Sequence, residues 1–310
     1  MTLNAALDVS CEAEQVRPTD KIRTHGDRVD PGGGGINVSR VLQRLGAPTH
    51  AIFLAGGETG RALDGLLGSA ALERSWVRTR GETRVSLTVF ERSSGQEFRF
   101  VPEGPVVAPA ELEACARTVA EHAGAADYLV ASGSLPRGAP DDFYVRLCAL
   151  ARAHGARFVL DSSGAEFRAV LERGGAFLVK PSRAELEEAA GRPLPTLADL
   201  AAAARALRGS GGAELVAVTM GPDGALLADA AGERFLPAVP VAAISAVGAG
   251  DSFLAAMVQG LAGGQANDQA FRLAVAAGAA AVICPGTGLC GAEDVAALLK
   301  MVPDPQQVMV

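Results

Sequence analysis

The run Val247–Phe253, VGAGDSF, combines residue types that suit the transfer of a phosphoryl group. Gly248, Ala249 and Gly250 stand where a helix is predicted to begin, so their backbone N–H groups can converge on an anion. Asp251 follows them, and a carboxylate beside an anion-binding turn can remove the proton of an attacking hydroxyl. We therefore predict Asp251 as a general base and the three preceding residues as an anion hole. A plain N-cap role for Asp251 is the alternative.

Four consecutive glycines, within PGGGGINVSRVLQRLG at 31–46, precede an amphipathic helical pattern. Glycine allows backbone to approach a ligand closely, and the start of a helix offers unpaired N–H groups to oxygen atoms. Asn37 lies in the first helical turn, where its amide could bond a hydroxyl or cap the helix. The spacing matches neither a GxxxxGK[ST] loop nor a GxGxxG fingerprint, so the mechanisms of those motifs are not supported. A flexible turn remains the alternative.

Two further segments place polar residues where a strand meets a helix or a turn. In VKPSRAE at 179–185, Glu185 lies one turn into a predicted helix and could hold a metal ion through water. In TMGPDGA at 219–225, a strand runs into a glycine turn that could receive a nucleotide phosphate. A solvated glutamate and an ordinary β-turn are the respective alternatives.

Short apolar runs alternate with helical patterns along most of the chain, which predicts a parallel sheet with helices on both faces. The predicted strands are Ala51–Ala55, Tyr128–Ser132, Arg157–Asp161, Ala176–Val179 and Glu214–Thr219. The predicted helices are Leu112–His122, Pro140–His154, Ser182–Ala190, Leu197–Leu207 and, towards the end of the chain, 250–262, 268–282 and 291–300.

One region breaks this alternation. Arg84–Val101 alternates polar and apolar residues around a Ser-Ser-Gly turn, which predicts a β-hairpin, and Asp8–Pro31 is also polar and strand-like. We predict that these two segments, at about 8–31 and 84–102, form a small β layer inserted in a single α/β domain that spans residues 1–310.

Composition excludes several classes. The formal net charge of −7 argues against nonspecific binding to nucleic acid, which needs lysine and arginine opposite phosphates. The chain has 5 cysteines without a CxxC pair, and 4 histidines without zinc-ligand spacing, so reduced thiols and no zinc site are expected. The N-terminus lacks the charge and apolar pattern of a signal peptide, and the most apolar stretch is interrupted by Arg272 and Gly278. We expect a cytoplasmic protein that does not bind a membrane.

Taken together and in this order, the motifs resemble those of the ribokinase-like carbohydrate kinases, also called the PfkB family. The resemblance runs over essentially the whole chain. It also includes LNAALD at 3–8, KIR at 21–23, AGGETG at 55–60, SGSLPRG at 132–138, DSSG at 161–164 and GTGLC at 286–290. It implies a doubly wound, mostly parallel sheet with helices on both faces and a small β-sheet lid, and ATP-dependent phosphorylation of a sugar hydroxyl.

The resemblance also assigns roles to residues of this chain. It makes Asp251 the catalytic base, Gly248, Ala249 and Gly250 the anion hole, and Mg²⁺-ATP the phosphoryl donor. The residues it places at the nucleotide are Lys180, Ser182, Glu185 (Mg²⁺ through water), Thr219, Gly221 and Gly224, and those it places at the sugar are Asp8, Gly33, Gly34, Asn37 and Ser132. A K⁺ site, formed mainly by carbonyl groups, is implied at Ser245, Val247, Ala281 and Gly286. Ser182 stands where the family generally has Asn, and the shorter side chain could weaken contacts to phosphate or magnesium-bound water.

Within the family, the chain resembles the branch that acts on sugar phosphates. Lys21, Arg23 and Arg84 match positions that bind the phosphate already on the sugar, and three cations could clamp a dianion when the lid closes. Solvated lid charges are the alternative. Lid strands of this type also suggest a homodimer, because an exposed sheet edge tends to find a partner.

The acceptor sugar remains open within that branch. The GGGG run followed by INV, with AIFLAGG and GTGLC, resembles the minor bacterial kinases of fructose 6-phosphate. Kinases of fructose 1-phosphate and of tagatose 6-phosphate, which usually carry GGKG, are the alternatives. A kinase of free ribose or a nucleoside would not need a phosphate clamp. A phosphosugar sensor without catalysis is the alternative of another class, and ATP turnover discriminates it.

Overall fold

The computed structural model describes residues 1–284, 286 and 288–308. Its strands, numbered in chain order, are β1 (Ala6–Ala13), β2 (His25–Gly32), β3 (Ala51–Gly56), β4 (Arg74–Thr79), β5 (Arg84–Glu91), β6 (Gln96–Phe100), β7 (Tyr128–Ser132), β8 (Arg157–Asp161), β9 (Ala176–Val179), β10 (Ala213–Thr219), β11 (Ala225–Asp229), β12 (Gly232–Leu236) and β13 (Gln306–Gln307).

The helices are α1 (Gly34–Arg44), α2 (Gly57–Ser69), α3 (Pro109–Ala123), α4 (Phe143–Ala153), α5 (Gly164–Arg173), α6 (Arg183–Ala190), α7 (Leu197–Gly209), α8 (Ala249–Ala262), α9 (Asn267–Val282) and α10 (Ala292–Leu299). Within the described part of the chain, none of them is both long enough and apolar enough to cross a membrane.

The main sheet has seven strands in the order β13-β12-β11-β10-β9-β8-β7. β7, β8, β9 and β10 pair in parallel, whereas β10 to β13 pair in antiparallel fashion. Side chains of a strand alternate between the two faces of a sheet, and β8 shows this directly. Phe158 and Leu160 pack with α3, α4, α5 and α7, while Val159 packs with α1, α8, α9 and α10. The sheet is therefore covered by helices on both faces, as the sequence predicts.

The first two residues extend this sheet. Thr2 pairs with β3, where its N–H donates to the Ile52 carbonyl and its own carbonyl accepts from Leu54. On the other side, Ser132 N–H of β7 donates to the Met1 carbonyl. Residues 1–2 thus lie between β7 and the parallel pair β3–β4. The chain then passes directly into β1, so the carboxyl edge of the sheet lies next to the second, smaller sheet.

That smaller sheet, which we call the lid sheet, has the strand order β2-β1-β5-β6. It unites the two segments that broke the α/β alternation, since β1 pairs antiparallel with β2 and parallel with β5. The hairpin β5–β6 closes around residues 92–95. Asp8 lies opposite Ser86, and Thr88 lies opposite Arg99, so these four residues share one face.

Most predicted strands and helices are confirmed, and their ends move by a few residues at most. Tyr128–Ser132, Arg157–Asp161 and Ala176–Val179 have the predicted bounds. The sequence patterns did not indicate α2, α5, β4 or the antiparallel pair β11–β12. Four glycines in the 13 residues of α2 weaken its helical pattern, because glycine disfavours helix interiors.

Helices α8 and α9 approach each other closely in the core. Gly260 of α8 faces Ala270 of α9, and a Cβ at position 260 would lie 2.9 Å from the Cα of Ala270. Ala270, Ala274 and Ala277 are completely buried in the same interface. Small residues on both helices therefore set how closely α8, which carries Asp251, packs on the body.

We expect Gly260→Ala to lower the free energy of unfolding by about 1–3 kcal/mol, because the added methyl overpacks a contact that involves backbone. Gly65→Ala, in the middle of α2, is the matched control, since a Cβ there meets nothing within 4 Å. It should raise the free energy of unfolding by about 0.5–1 kcal/mol through helix propensity. Urea denaturation of both variants measures the effect, and equal signs would contradict this account of the helix pair.

Candidate active site

A cleft of about 300 Å³ lies between the lid sheet and the carboxyl ends of β7 and β8. This is where ligands bind in open α/β sheets. Many of the residues singled out in the sequence line it, namely Asp8, Gly33, Gly34, Asn37, Arg84, Ser132, Glu185, Val247, Gly248 and Asp251. The described structure thus joins the glycine run, the GAGD turn and one lid arginine in a single cleft.

The glycine run brings the start of α1 against the end of β7. A Cβ at Gly34 would lie 2.1 Å from the Ser132 hydroxyl oxygen, so only glycine permits this approach. The first helical bond then forms from Asn37 N–H to the Gly33 carbonyl. Asn37 is 8% exposed and points its side chain towards the GAGD turn. The glycines are therefore part of the packing, and they fix where Asn37 stands.

The GAGD turn opens α8. Gly248 adopts a left-handed conformation with φ of 75°, which favours glycine, and it forms the N-cap. Its carbonyl accepts the N–H of Ser252, which begins the helical hydrogen bonds. The N–H groups of Gly250 and Asp251 come before this bond, and first-turn N–H groups have no acceptor within their helix. Together with the helix dipole they can receive an anion.

Asp251 holds its carboxylate at this turn. The amide of Asn37 donates from Nδ2 to Oδ2 of Asp251 over 2.9 Å. Burial raises the pKa of Asp251 to about 6, and the nearby carboxylate of Asp161 adds to the rise, while the Asn37 hydrogen bond and Lys180 oppose it. The group is therefore ionised near neutral pH and can accept a proton, as a general base must.

Beneath the GAGD turn lies a buried ion pair. Lys180, 5% exposed, donates from Nζ to Oδ1 of Asp161 over 2.9 Å, and Ser132 donates to Oδ2 of the same carboxylate. Burial lowers the pKa of Lys180, but Asp161, Glu185 and Asp251 outweigh that effect and raise it overall. A Cβ at Gly250 would lie 3.3 Å from Lys180 Nζ. The ammonium group is thus charged and next to the anion-binding turn.

Ser182 and Glu185 cap the start of α6 reciprocally. The backbone N–H of Ser182 donates to Oε2 of Glu185, and the Ser182 hydroxyl accepts the N–H of Glu185. This capping box orients the Glu185 carboxylate at the cleft wall. Ser182 also pairs with Thr219 at the end of β10, so the VKPSRAE and TMGPDGA segments meet. Gly221 opens a 3₁₀ turn that Gly224 ends, beyond the residues that line the cleft.

The opposite end of the cleft belongs to the lid sheet. Burial raises the pKa of Asp8, although Arg84, Ser86 and Arg99 lower it. Arg84 is anchored, because its guanidinium donates to the carbonyls of Asn4 and Pro102. An acid that can bind hydroxyls therefore lies beside guanidinium groups that can bind a phosphate.

Sequence reasoning missed two charged residues of the cleft, Arg99 and Asp161. Arg84 and Thr88 are four residues apart in β5, so they lie on the same face of the strand. Arg99 lies opposite Thr88 in the hairpin, so the pairing of the two strands places Arg99 on the face of the predicted Arg84. Asp161 ends β8, and the carboxyl end of a central strand is a common place for functional side chains.

Other predicted site residues lie apart from the cleft. Lys21 and Arg23 are on an exposed loop before β2, and neither lines the cleft of the same chain.

For the predicted cation site, Ser245 N–H donates to the Val282 carbonyl next to Ala281, which brings that loop against the end of α9. Gly286 lies close to Ser10 of the lid sheet. Thr287, in the GTGLC motif, lies outside the described residues.

Comparison with known proteins gives consistent results. The model of the pfkB family of carbohydrate kinases matches residues 2–294. The chain is 40% identical over 308 residues to an ATP-dependent 6-phosphofructokinase isozyme 2 of Mycobacterium tuberculosis, covering 99% of this chain and 90% of that protein. It is 35% identical over 284 residues to a 1-phosphofructokinase of Xanthomonas campestris, covering 89% and 88%.

Solved structures of phosphofructokinase-2 from Escherichia coli are similar over 97% of both chains. The complex with fructose-6-phosphate has a TM-score of 0.90 at 35% identity, and the complex with potassium has 0.92 at 36%. A tetrameric inhibited form has a TM-score of 0.91 at 36% identity. With the match of the family model over nearly the whole length, these similarities lead to one conclusion: the chain belongs to the pfkB family of carbohydrate kinases.

Proposed function

We propose that this chain transfers the γ-phosphoryl group of ATP to the 1-hydroxyl of fructose 6-phosphate, giving fructose 1,6-bisphosphate and ADP. The observation that carries the proposal is that the two ends of the cleft have different chemistry. Asp251 and the anion-binding turn of α8 form one end, and Asp8 with Arg84 and Arg99 forms the other. A sugar phosphate between them would present a hydroxyl to the base and its phosphate to the guanidinium groups.

At the sugar end, Asp8 and Asn37 would bind hydroxyls while Arg84 and Arg99 bind the phosphate. Charge-assisted hydrogen bonds from guanidinium groups recognise phosphate by geometry as well as by charge. The 6-phosphofructokinase relative and the Escherichia coli complex with fructose-6-phosphate support this acceptor. The 1-phosphofructokinase relative favours fructose 1-phosphate as the second candidate.

At the reacting end, Asp251 removes the proton as the sugar oxygen attacks the γ-phosphorus. A new P–O bond forms to the sugar, and the bond between the γ-phosphorus and the bridging oxygen of ADP breaks. The N–H groups of the GAGD turn and the ammonium group of Lys180 stabilise the negative charge on the transferring group. The fixed dipoles of α8 need no reorganisation during the step.

For magnesium, the fitting residue is Glu185. Its Oε2 is held by the Ser182 N–H, so the second carboxylate oxygen can bind a metal-bound water at the cleft wall. Among the described residues, no group of three or more His, Cys, Asp or Glu side chains could hold a metal by itself. This suits Mg²⁺, which usually keeps several waters and binds one or two carboxylates with substrate phosphates. When bound, Mg²⁺ neutralises charge on the ATP phosphates.

For the nucleotide, we place ATP along the ends of β9 and β10. Ser182 and Thr219 are paired there, and Gly221 and Gly224 shape the turn that follows. A K⁺ site formed by carbonyl groups near Ser245 and Val247 would lie behind the anion-binding turn. The neighbouring structure with potassium supports that site.

The outer face of the lid sheet supports a homodimer. Val29, Val9, Leu87 and Phe100 form a continuous row across all four strands, on the face opposite Asp8 and Arg99. The ends of the row are open, since Val29 is 48% and Phe100 is 54% exposed. A second copy would cover this row and the sheet edges at once. We place this assembly in the cytoplasm, where the five free cysteines would stay reduced.

Release of ADP should be fastest with fructose 6-phosphate when it is compared with fructose 1-phosphate, tagatose 6-phosphate, fructose and ribose.

Asp251→Asn should lower kcat by about 10²–10⁴-fold, the usual contribution of a general base, while calorimetry still detects sugar binding. In the unchanged protein, kcat/KM should fall as the pH drops through about 6, because Asp251 then becomes protonated.

Asp141→Asn, an exposed change before α4, is the control and should leave turnover unchanged. A near-normal rate for Asp251→Asn would remove Asp251 from the role of base. Turnover with an unphosphorylated sugar as fast as with fructose 6-phosphate would overturn the proposed acceptor. An absence of turnover with every acceptor would favour the alternative function, a phosphosugar sensor without catalysis.

Arg84→Ala and Arg99→Ala should each raise KM for the sugar phosphate by about 10- to 100-fold, the equivalent of one charge-assisted hydrogen bond. KM for ATP should change much less, because both arginines lie at the sugar end. Arg92→Ala, in the turn between β5 and β6, is the matched control, since its exposed ion pair with Glu12 lies away from the cleft. Steady-state kinetics would contradict the assignment if both substrates were affected equally.

Phe100→Asp should shift the protein from dimer to monomer in light scattering after size-exclusion chromatography. A carboxylate at this end of the covered row would be desolvated without a partner. Val106→Asp is the control, because Val106 is 60% exposed but lies outside the lid sheet. An unchanged mass for Phe100→Asp would place the interface elsewhere.

A further inference from the structure

A buried arginine behind the cleft has no part in the mechanism above. Arg40 lies one turn after Asn37 in α1 and is 8% exposed. Its guanidinium donates to three acceptors, which are the Pro31 carbonyl at 2.9 Å, Oδ1 of Asn37 at 3.3 Å and Oδ1 of Asp30 at 3.3 Å. Burying a guanidinium group is costly unless its hydrogen bonds are satisfied. Its position therefore calls for an explanation.

The contact with Asn37 has a consequence for Asp251. A side-chain amide has an acceptor oxygen and a donor nitrogen on opposite branches. Because Arg40 can only donate, it selects the orientation in which Oδ1 of Asn37 faces Arg40. Nδ2 then faces Asp251 and donates to Oδ2 over 2.9 Å. In the flipped orientation, a carbonyl oxygen would face the carboxylate.

We propose that Arg40 is a positioning residue that fixes the Asn37 amide so that its NH₂ group, and not its oxygen, faces the carboxylate of Asp251. The inference rests on the proposed role of Asp251 as the base. Asn37 is the residue in contact with Asp251, and Arg40 acts through it. Arg40 also donates to the carbonyl of Pro31, which precedes the glycine run, and to the side chain of Asp30 in β2.

The orientation of the amide decides in which protonation state Asp251 is stabilised. A donor stabilises the carboxylate, whereas an acceptor stabilises the carboxylic acid. Asp161 and Asp8 also face Asp251 and favour protonation, while Lys180 opposes it, and these groups stay in place when Arg40 is changed. The charged groups near Arg40 are Asp30, Arg28 and Arg44.

The test is a titration of Asp251 by NMR in the full-length protein with ¹³C-labelled aspartate carboxyl groups. Arg40→Met should move the titration of Asp251 upward by about one pH unit, the equivalent of one hydrogen bond to a charged group. The acid limb of kcat/KM should move by the same amount. At pH 6 we expect turnover to fall by about fivefold, because the ionised fraction of Asp251 drops from about one half to about one eleventh, whereas KM for the sugar phosphate should change by less than a factor of three.

Three further variants separate positioning from a structural role. Arg28→Met is the control, because it removes a cation that pairs with Asp30 but does not contact Asn37, and it should leave the titration of Asp251 unchanged. Asn37→Ala should shift the titration by itself, and adding Arg40→Met should then give no further shift. Asp30→Asn with Arg40→Met removes both charges of the buried pair, so it serves where Arg40→Met alone does not fold.

A folded Arg40→Met or double-charge variant that titrates like the unchanged protein would overturn the inference, as would additive shifts in the Asn37→Ala background. The titration needs no turnover. If Asp251→Asn kept a normal rate, the proposed function would fail, while the NMR shift would still decide whether Arg40 orients the amide.

Discussion

The hydrogen bond from Asn37 to Asp251 joins the first turns of α1 and α8. The two bonded residues lie 214 positions apart in the chain. Both helices open after glycine-rich turns, and both point their N-termini at the same cleft. The bond fixes the carboxylate where the unpaired N–H groups of α8 open into the cleft. Without this convergence, the glycine run would be only a turn and the GAGD segment only a cap.

The surroundings of that bond balance charge in a confined space. Four carboxylates, those of Asp8, Asp161, Glu185 and Asp251, line the same cleft. Lys180 neutralises Asp161 directly, and the lid arginines offset part of the rise that burial causes in the pKa of Asp8. Asp251 is left with a hydrogen bond but no ion pair of its own in the described structure, so burial dominates its pKa. This arrangement keeps one carboxylate basic enough to accept a proton near neutral pH.

The lid sheet has two faces with different chemistry because the side chains of a strand alternate. One face carries Asp8 and Arg99 into the cleft, and the other carries the apolar row from Val29 to Phe100. Substrate recognition and self-association would therefore depend on the same four strands. A shift of one residue in the pairing of β6 with β5 would exchange the faces of Arg99 and Phe100.

The sequence by itself determined the α/β class, the main parallel strands and the cluster of motifs at their carboxyl ends. Apolar periodicity and glycine placement are local signals, and VGAGDSF predicts an anion-binding turn beside a carboxylate. Only the tertiary structure decided which charges meet. It brought Arg99 and Asp161 into the cleft, left Lys21 and Arg23 on an exposed loop, and set Arg40 behind Asn37. The reason is that strand register, helix approach and burial depend on contacts between distant segments, which periodicity along the chain does not encode.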